Sequence, residues 1–231
     1  FSSASAMLTA VLFTSACSTA PADSAPPTDT PTAPADPLEV DAAWLDAGRM
    51  VAVVTWGSSS CVPDVAMVTA NEQTVSIGLS AEDAAQACTA DYVARATLVA
   101  LPEGVDPTGD VSLRVILGDT RGDADLDGHP ALTGVPGQPT DYAPSAGWFD
   151  DGALVLLTWG SSSCRPVVES TEVSGGTATV GFAAQDGPCT MDMVPRATVI
   201  ELGPLRENAD DAFVLTLVGG GLDATLNVID G

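Results

Sequence analysis

The charge of this chain excludes one class of partner. Its 231 residues include 31 acidic side chains against seven arginines and no lysine, a formal net charge of −24 at pH 7. Nucleic acid binding draws its affinity from clustered Lys and Arg, so the composition excludes nucleic acid as a partner. The charge favours solubility outside the cell, with attraction of divalent or organic cations and adaptation to high salt as the alternatives.

The first 37 residues combine an apolar run, a cysteine and a proline-rich segment. The run at 6–13 is too short to span a bilayer, and it predicts a secretory signal over 1–16 that lacks its basic start. Ser15-Ala16-Cys17 resembles the lipobox of bacterial lipoproteins, which implies that Cys17 is lipidated and begins the mature protein. An ordinary signal peptide with an incidental cysteine is the alternative. Residues 17–37 are predicted to be a disordered tether.

The remainder of the chain is a tandem duplication. The heptapeptide TWGSSSC at 55–61 recurs unchanged at 158–164, and matching residues continue beyond it in both directions. Internal repeats of this kind indicate two copies of one structural unit. The sequence therefore predicts homologous domains at 38–118 and 146–231, joined by an interdomain linker at 119–145 that is rich in Gly, Pro and Asp.

Each repeat has the pattern of short β-strands. Residues 50–56 and 154–159 are apolar nearly throughout, which predicts strands covered on both faces. In the following hairpin, Val75, Ile77 and Leu79 alternate with polar residues and are expected to face inward. Five or six such strands per repeat, without a sustained helical period, predict an all-β protein of two small antiparallel sandwiches or barrels.

Four cysteines remain once Cys17 is assigned to the lipid anchor. Cys61 and Cys88 are separated by nearly the same length of chain as Cys164 and Cys189, which predicts one internal disulfide in each domain. A disulfide that closes a loop of this size contributes about 3 to 4 kcal/mol to the stability of its domain. Two crossed pairings that link the domains are the alternatives. Zinc binding is disfavoured because no Cys-x-x-Cys spacing occurs.

The repeated serine triplets are the first candidate site. A nucleophilic serine needs a nearby base, and the chain has a single histidine for two copies and no Gly-x-Ser-x-Gly elbow, so no catalytic residue is predicted. The triplets are interpreted as tight polar turns, with a ligand-contacting edge as the alternative, in which the tryptophans act as stacking platforms. The residues of this edge are Trp56, Ser58, Ser59, Ser60, Trp159, Ser161, Ser162 and Ser163.

Alternating aspartates form the second candidate site. Asp123, Asp125 and Asp127 precede Gly128 and resemble the first half of an EF-hand-type calcium loop, which implies a weak calcium site. Gly134 stands where that family has a bidentate glutamate. A solvated acidic turn is the alternative, and no other cofactor is expected.

Opposite charges recur after the second cysteine of each repeat. Asp91 precedes Arg95 by four residues, and Asp192 precedes Arg196 by the same interval. In a chain with so few cations, this spacing predicts an ion pair within each domain. An anion-binding arginine is the alternative.

Two classes of function are consistent with these features. The leading hypothesis is a non-catalytic, lipid-anchored extracytoplasmic module that binds a cell-surface protein, glycan or wall component and is held to the membrane through Cys17. The alternative is a secreted enzyme or enzyme inhibitor with a site in only one repeat. Neither the ligand nor the oligomeric state follows from the sequence.

Overall fold

The computed structural model describes residues 37–80, 87–205 and 213–230. The predicted signal peptide, Cys17 and nearly all of the predicted tether lie outside these residues. Within the described part of the chain, no helix is long and apolar enough to cross a membrane.

Each repeat folds into seven β-strands within the described residues. The strands of the first repeat are β1 (Asp41–Leu45), β2 (Met50–Gly57), β3 (Asp64–Asn71), β4 (Thr74–Ser80), β5 (Val93–Ala100), β6 (Val111–Leu117) and β7 (Thr120–Leu126). Those of the second are β8 (Ser145–Asp150), β9 (Ala153–Gly160), β10 (Val168–Ser174), β11 (Thr177–Phe182), β12 (Val194–Glu201), β13 (Val214–Gly219) and β14 (Ala224–Ile229). The all-β prediction is confirmed.

The strands of a repeat form two layers. In the first repeat the sheet β1-β2-β5 packs on the sheet β3-β4-β6-β7, and β8-β9-β12 packs in the same way on β10-β11-β13-β14. A short parallel pairing of β14 with β8 joins the two layers of the second repeat. In the first repeat the two layers are joined at the equivalent edge by a 2.8 Å hydrogen bond, which Leu38 N donates to Arg121 O.

Strand pairing is antiparallel in the hairpins and parallel at one place in each four-stranded sheet. The predicted hairpin is β3 with β4, whereas β4 pairs in parallel with β6, as β11 does with β13. A parallel pair needs a crossover connection, and here the chain between β4 and β6 crosses to the other sheet to form β5. The expected alternation of β4 is confirmed, because Val75, Ile77 and Leu79 are buried between the two layers.

A third core lies between the repeats. Along β2, Val51 and Val53 enter the core of their own repeat, whereas Ala52 and Val54 pack against the second repeat. The prediction of a strand covered on both faces is confirmed, and its outer cover is the other repeat. The fully buried members of this third core are Ala43, Leu45, Met50, Ala52, Val54, Val155 and Leu157.

The repeats pack with β1 and β8 running past each other in opposite directions. Asp46 N donates a 2.8 Å hydrogen bond to Ser145 Oγ. Gly147 follows Ser145 on β8, yet it lies against Trp44, which precedes Asp46 on the other strand. A Cβ added to Gly147 would lie 2.3 Å from Trp44 O. Since β2 and β9 are antiparallel to these strands, they also run in opposite directions. Their carboxyl ends, which carry the two serine triplets, therefore lie at opposite ends of the third core.

The segment between the repeats contributes structure to the first repeat. Strand β7 falls within residues 119–145 and pairs with β6 as part of the first repeat. The connecting segment, residues 127–144, then crosses a 3₁₀ turn at Asp46–Gly48, where Gly134 N donates a 2.8 Å hydrogen bond to Ala47 O. The second repeat has no counterpart of this segment among the described residues.

Candidate binding surfaces

Each repeat contains one disulfide, as the cysteine spacing predicted. Cys61 is bonded to Cys88 and Cys164 to Cys189, with Cα atoms 5.6 Å apart in both. Each bond joins the loop after β2 or β9 to the loop before β5 or β12. The crossed pairings are thereby excluded. Disulfides persist in oxidising compartments, so this pairing indicates an extracytoplasmic location.

The first serine turn, residues 58–60, is closed by a hydrogen-bond network with Thr89 and Asp91. Thr89 Oγ1 lies 2.7 Å from Ser58 Oγ and 3.3 Å from Ser60 Oγ, and it donates to Asp91. Main-chain groups complete the network, because Ser59 N donates to Asp91 Oδ1 at 3.2 Å and Thr89 N to Ser60 Oγ at 3.0 Å. The two loops joined by the disulfide are thus also joined by side chains.

The second serine turn, residues 161–163, has the same network. Thr190 Oγ1 lies 2.7 Å from Ser161 Oγ and 3.3 Å from Ser163 Oγ, and it donates to Asp192. Ser162 N donates to Asp192 Oδ1 at 3.2 Å, and Thr190 N donates to Ser163 Oγ at 3.0 Å. Identical heptapeptides, each with a downstream Cys-Thr-x-Asp, therefore build the same hydrogen-bond network.

The aspartates of the two networks are strongly acidic. Hydrogen bonds from Ser59 and then Thr89 stabilise the ionised Asp91 and lower its pKa to about 2. Bonds from Ser162 and then Thr190 lower the pKa of Asp192 to about 2 in the same way. Both carboxylates are exposed and ionised at neutral pH, so each serine turn presents a fixed negative charge among hydroxyl groups.

The aspartate and the arginine of each repeat bind different groups of the serine loop. Within the described residues the aspartates bind the serine turns, whereas Arg196 donates to the main-chain carbonyls of Cys164 at 2.7 Å and Trp159 at 3.1 Å. Arg95 donates to the equivalent carbonyls of the first repeat. A Cβ added to Gly57 would lie 2.6 Å from the central guanidinium carbon of Arg95. The arginine therefore packs directly against the glycine that precedes the serine turn.

The tryptophans of the candidate edge face the interior. Trp56 and Trp159 are half-buried against the third core, and Trp159 makes an edge-to-face contact with Tyr142 at 5.2 Å. Exposed apolar side chains beside the turns are instead Tyr92 in the first repeat, and Met191 and Met193 in the second. Sequence reasoning missed these residues, although large apolar side chains next to the shared aspartate were a usable signal.

The three aspartates of the calcium hypothesis lie on or just after an extended strand. Asp123 and Asp125 project from one face of β7, and Ser112 Oγ donates a 2.7 Å hydrogen bond to Asp125. The resemblance to an EF-hand-type loop thus does not extend to the backbone. Among the residues that the structure describes, no group of three or more His, Cys, Asp or Glu side chains is placed to hold a metal ion. Weak calcium binding stays a prediction.

Asp123 and Asp125 also line an acidic groove at the junction of the repeats, with a volume of about 1010 Å³. Burial, followed by repulsion from Asp150 and Glu39, raises the pKa of Asp41 in this groove. The aspartates of the acidic groove are Asp41, Asp123, Asp125, Asp150, Asp151 and Asp230. The groove therefore favours cations over anions.

The chain matches no known protein-family model, and neither a curated protein nor a solved structure is significantly similar to it. The geometry of the serine turns is therefore the observation that bears on their function. That geometry offers hydroxyl groups, ionised carboxylates and neighbouring apolar side chains in a fixed arrangement, which are the groups that recognise a hydroxyl-rich ligand.

Proposed function

We propose that the protein is a lipid-anchored, non-catalytic binding module that attaches to a hydroxyl-rich cell-surface or wall polymer through its two serine turns. The observation that carries this proposal is the display of one exposed network twice, with the same partners and nearly the same distances. Large exposed apolar side chains beside a polar network can contact the apolar face of a ligand. Both turns have such neighbours.

Preorganisation supports binding at these turns. The hydroxyls are held by one another and by the threonine, so a ligand does not have to order them, and less affinity is lost to side-chain entropy. Ionised Asp91 and Asp192 can accept hydrogen bonds from ligand hydroxyls and disfavour anionic polymers. Tyr92 supplies a ring for an apolar sugar face, and the methionines supply adaptable contacts.

The position of the turns supports bivalent attachment. The two edges lie at opposite ends of the third core, so they contact different stretches of a long polymer or two different chains. Once one edge is bound, the other is held near the polymer at a high effective concentration. Loss of one edge is therefore expected to lower the apparent affinity by more than twofold.

Cosedimentation with insoluble wall polysaccharide tests the proposal. The exported chain carrying Cys17→Ser is compared with Tyr92→Ala, with Met191→Ala combined with Met193→Ala, and with all three together. Each single-edge variant should bind at least about tenfold more weakly through lost bivalency, and the combined variant should remain in the supernatant. Val135→Ala removes an exposed apolar side chain from the connecting segment and should bind like the parent. Parent-like binding by the combined variant refutes the proposal.

The lipid anchor has its own test. If Cys17 is acylated, Cys17→Ser should move the exported protein from the membrane fraction to the soluble fraction. Retention of the variant in the membrane as firmly as the parent would contradict the anchor and leave the binding proposal standing.

A further inference from the structure

The acidic groove has a counterpart on the other side of the repeat junction. Val111 pairs with Leu126 at the end of the first repeat, and Val228 N donates to Phe213 O at the same place in the second. These matching pairings show that β7 of the first repeat and β14 of the second occupy the same position in the fold. Strands β1 and β8 also occupy the same position. Three aspartates of the acidic groove, Asp41, Asp125 and Asp151, then correspond to Ser145, Asn227 and Ala47, which line a second cavity of about 490 Å³.

This second cavity, the junction pocket, has mostly apolar walls. Its floor comes from β14, and the connecting segment forms another wall. The apolar side chains that line it include Leu132, Pro144, Leu226, Val228 and Ile229. A volume of roughly 300–1,000 Å³, apolar walls and a position between two packed units are typical of small-molecule sites.

Arg49 and His129 bring hydrogen-bond donors to the junction pocket. Arg49 donates through Nε and Nη2 to Asp46, at 3.0 and 3.1 Å, and through Nη2 to Asp141 at 2.7 Å. Its Nη1 makes no hydrogen bond to any described residue. His129 Nδ1 accepts a 3.2 Å bond from Ala131 N, so the neutral imidazole carries its proton on Nε2.

The charges around the pocket disfavour an anionic ligand. Arg49 is matched by Asp46 and Asp141, and Asp230 adds a further carboxylate to the lining. The donors therefore suit an uncharged acceptor such as a carbonyl oxygen. A carboxylate would meet an excess of negative charge.

The backbone around the pocket is held in an unusual conformation. Asp46, Ala47 and Tyr142 have φ of +50°, +53° and +57°, and the first two line the cavity. Left-handed conformations of non-glycine residues cost energy and persist where the surrounding structure imposes them, often at binding sites. The connecting segment contacts the 3₁₀ turn through the 2.8 Å hydrogen bond from Gly134 N to Ala47 O.

We propose that the junction pocket binds a small uncharged ligand with an apolar body and a carbonyl oxygen, such as an acyl amide or ester. The carbonyl accepts from Arg49 Nη1 or His129 Nε2, and the apolar body lies on Leu226, Val228 and Ile229. This site is separate from the serine turns, occurs once among the residues that the structure describes, and does not depend on the proposed polymer binding.

Fluorescence titration tests the pocket in the exported chain carrying Cys17→Ser. The uncharged probe N-phenyl-1-naphthylamine should show a saturable increase in emission with one site per chain. Octanamide should displace the probe at a concentration at least about tenfold lower than octanoate, a difference of about 1.4 kcal/mol in binding free energy. A titration without saturation, or equal displacement by the two competitors, overturns the proposal.

Two matched tryptophan substitutions locate the site. Asn227→Trp fills the junction pocket and should weaken probe binding at least about tenfold, whereas Asp125→Trp places the same side chain at the equivalent position of the acidic groove and should leave binding unchanged. Ala131→Phe, on the exposed wall, provides a second filling variant if Asn227→Trp does not fold. Unchanged binding in a folded filling variant refutes the assignment, as does equal loss in Asp125→Trp.

Discussion

The serine turns are the same in both repeats, whereas the cavities at the repeat junction have diverged. Each turn closes within its own repeat, between a heptapeptide and a nearby Thr and Asp, so identical sequence gives identical contacts. Each junction cavity instead takes residues from both repeats. A substitution in one repeat therefore changes one cavity and leaves the other intact.

The connecting segment increases this difference. It passes over the end of β1 once and places Asp141 against Arg49 and His129 beside the junction pocket. The equivalent face of the second repeat has an open acidic groove. Duplication thus preserved the parts of the fold that are local to a repeat, and the junction supplied the places where the copies became different.

The two disulfides are expected to contribute equally, and their loss is the largest predicted effect. Replacing Cys61 and Cys88 by Ala, or Cys164 and Cys189 by Ala, should lower the free energy of unfolding by about 3 to 4 kcal/mol, because the closed loops are nearly the same length. Denaturant unfolding of the two double variants measures both values. A difference of more than about 1 kcal/mol between them would break the equivalence of the repeats.

Neighbouring leucines on β9 separate the core of a repeat from the core between repeats. Leu156 is buried within the second repeat and Leu157 in the third core. Each Leu→Ala substitution should cost about 3 kcal/mol through lost burial and a cavity. Leu157→Ala should also uncouple the repeats and broaden the denaturant transition, whereas Leu156→Ala should keep it sharp. Equal sharpness in the two variants would show that the repeats unfold as one unit without this contact.

The aspartates of the serine turns should confer matching dependence on pH. The folded pKa of about 2 lies below the ordinary value of 3.8, so the stabilisation is present above pH 4 and is lost as pH falls toward 2. Asp91→Asn and Asp192→Asn keep an acceptor oxygen but lose the charge. Both should unfold at lower temperature than the parent at pH 6 and approach it near pH 2. A deficit that does not change with pH would rule out the ionised form as the stabilising species.

The acidic groove should carry a small cost at neutral pH. Because the pKa of Asp41 is raised, its charged form is disfavoured in the folded state, and the stability present below pH 3.8 is lost as pH rises through the raised value. Asp41→Asn should therefore stabilise the protein at pH 7 and have no effect near pH 3. Asp119→Asn, in the exposed turn between β6 and β7, is the control. Destabilisation by Asp41→Asn at pH 7 would contradict this assignment.

Calcium should give the weakest effect. Calorimetry at physiological ionic strength is expected to detect binding only at millimolar calcium, because Asp123, Asp125 and Asp127 lie on an extended backbone instead of a loop. Asp123→Asn combined with Asp125→Asn should abolish the heat. The absence of heat from the parent at millimolar calcium would refute the site.

Properties of each repeat that depend on local pattern were predictable. The duplication, the alternation of β4 and the double covering of β2 follow from periodicity that any sheet must obey. Nearly equal separations along the chain favoured the disulfide pairing that the structure shows. For the serine turns, the sequence identified the residues but not the main-chain carbonyls that Arg95 and Arg196 bind, because spacing along the chain does not show which groups are near in space.

By itself the sequence determined that there are two copies and how their strands alternate, and it favoured one of the three possible disulfide pairings. Only the tertiary structure decided that the outer faces of β2 and β9 cover each other, that β4 lies parallel to β6, and that a pocket lined by Arg49 and His129 forms beside the junction. The physical reason is that apolar periodicity shows that a face is buried without identifying its partner. The partner depends on how two whole surfaces fit, with β1 and β8 in close contact at Gly147, and that fit involves residues about a hundred positions apart.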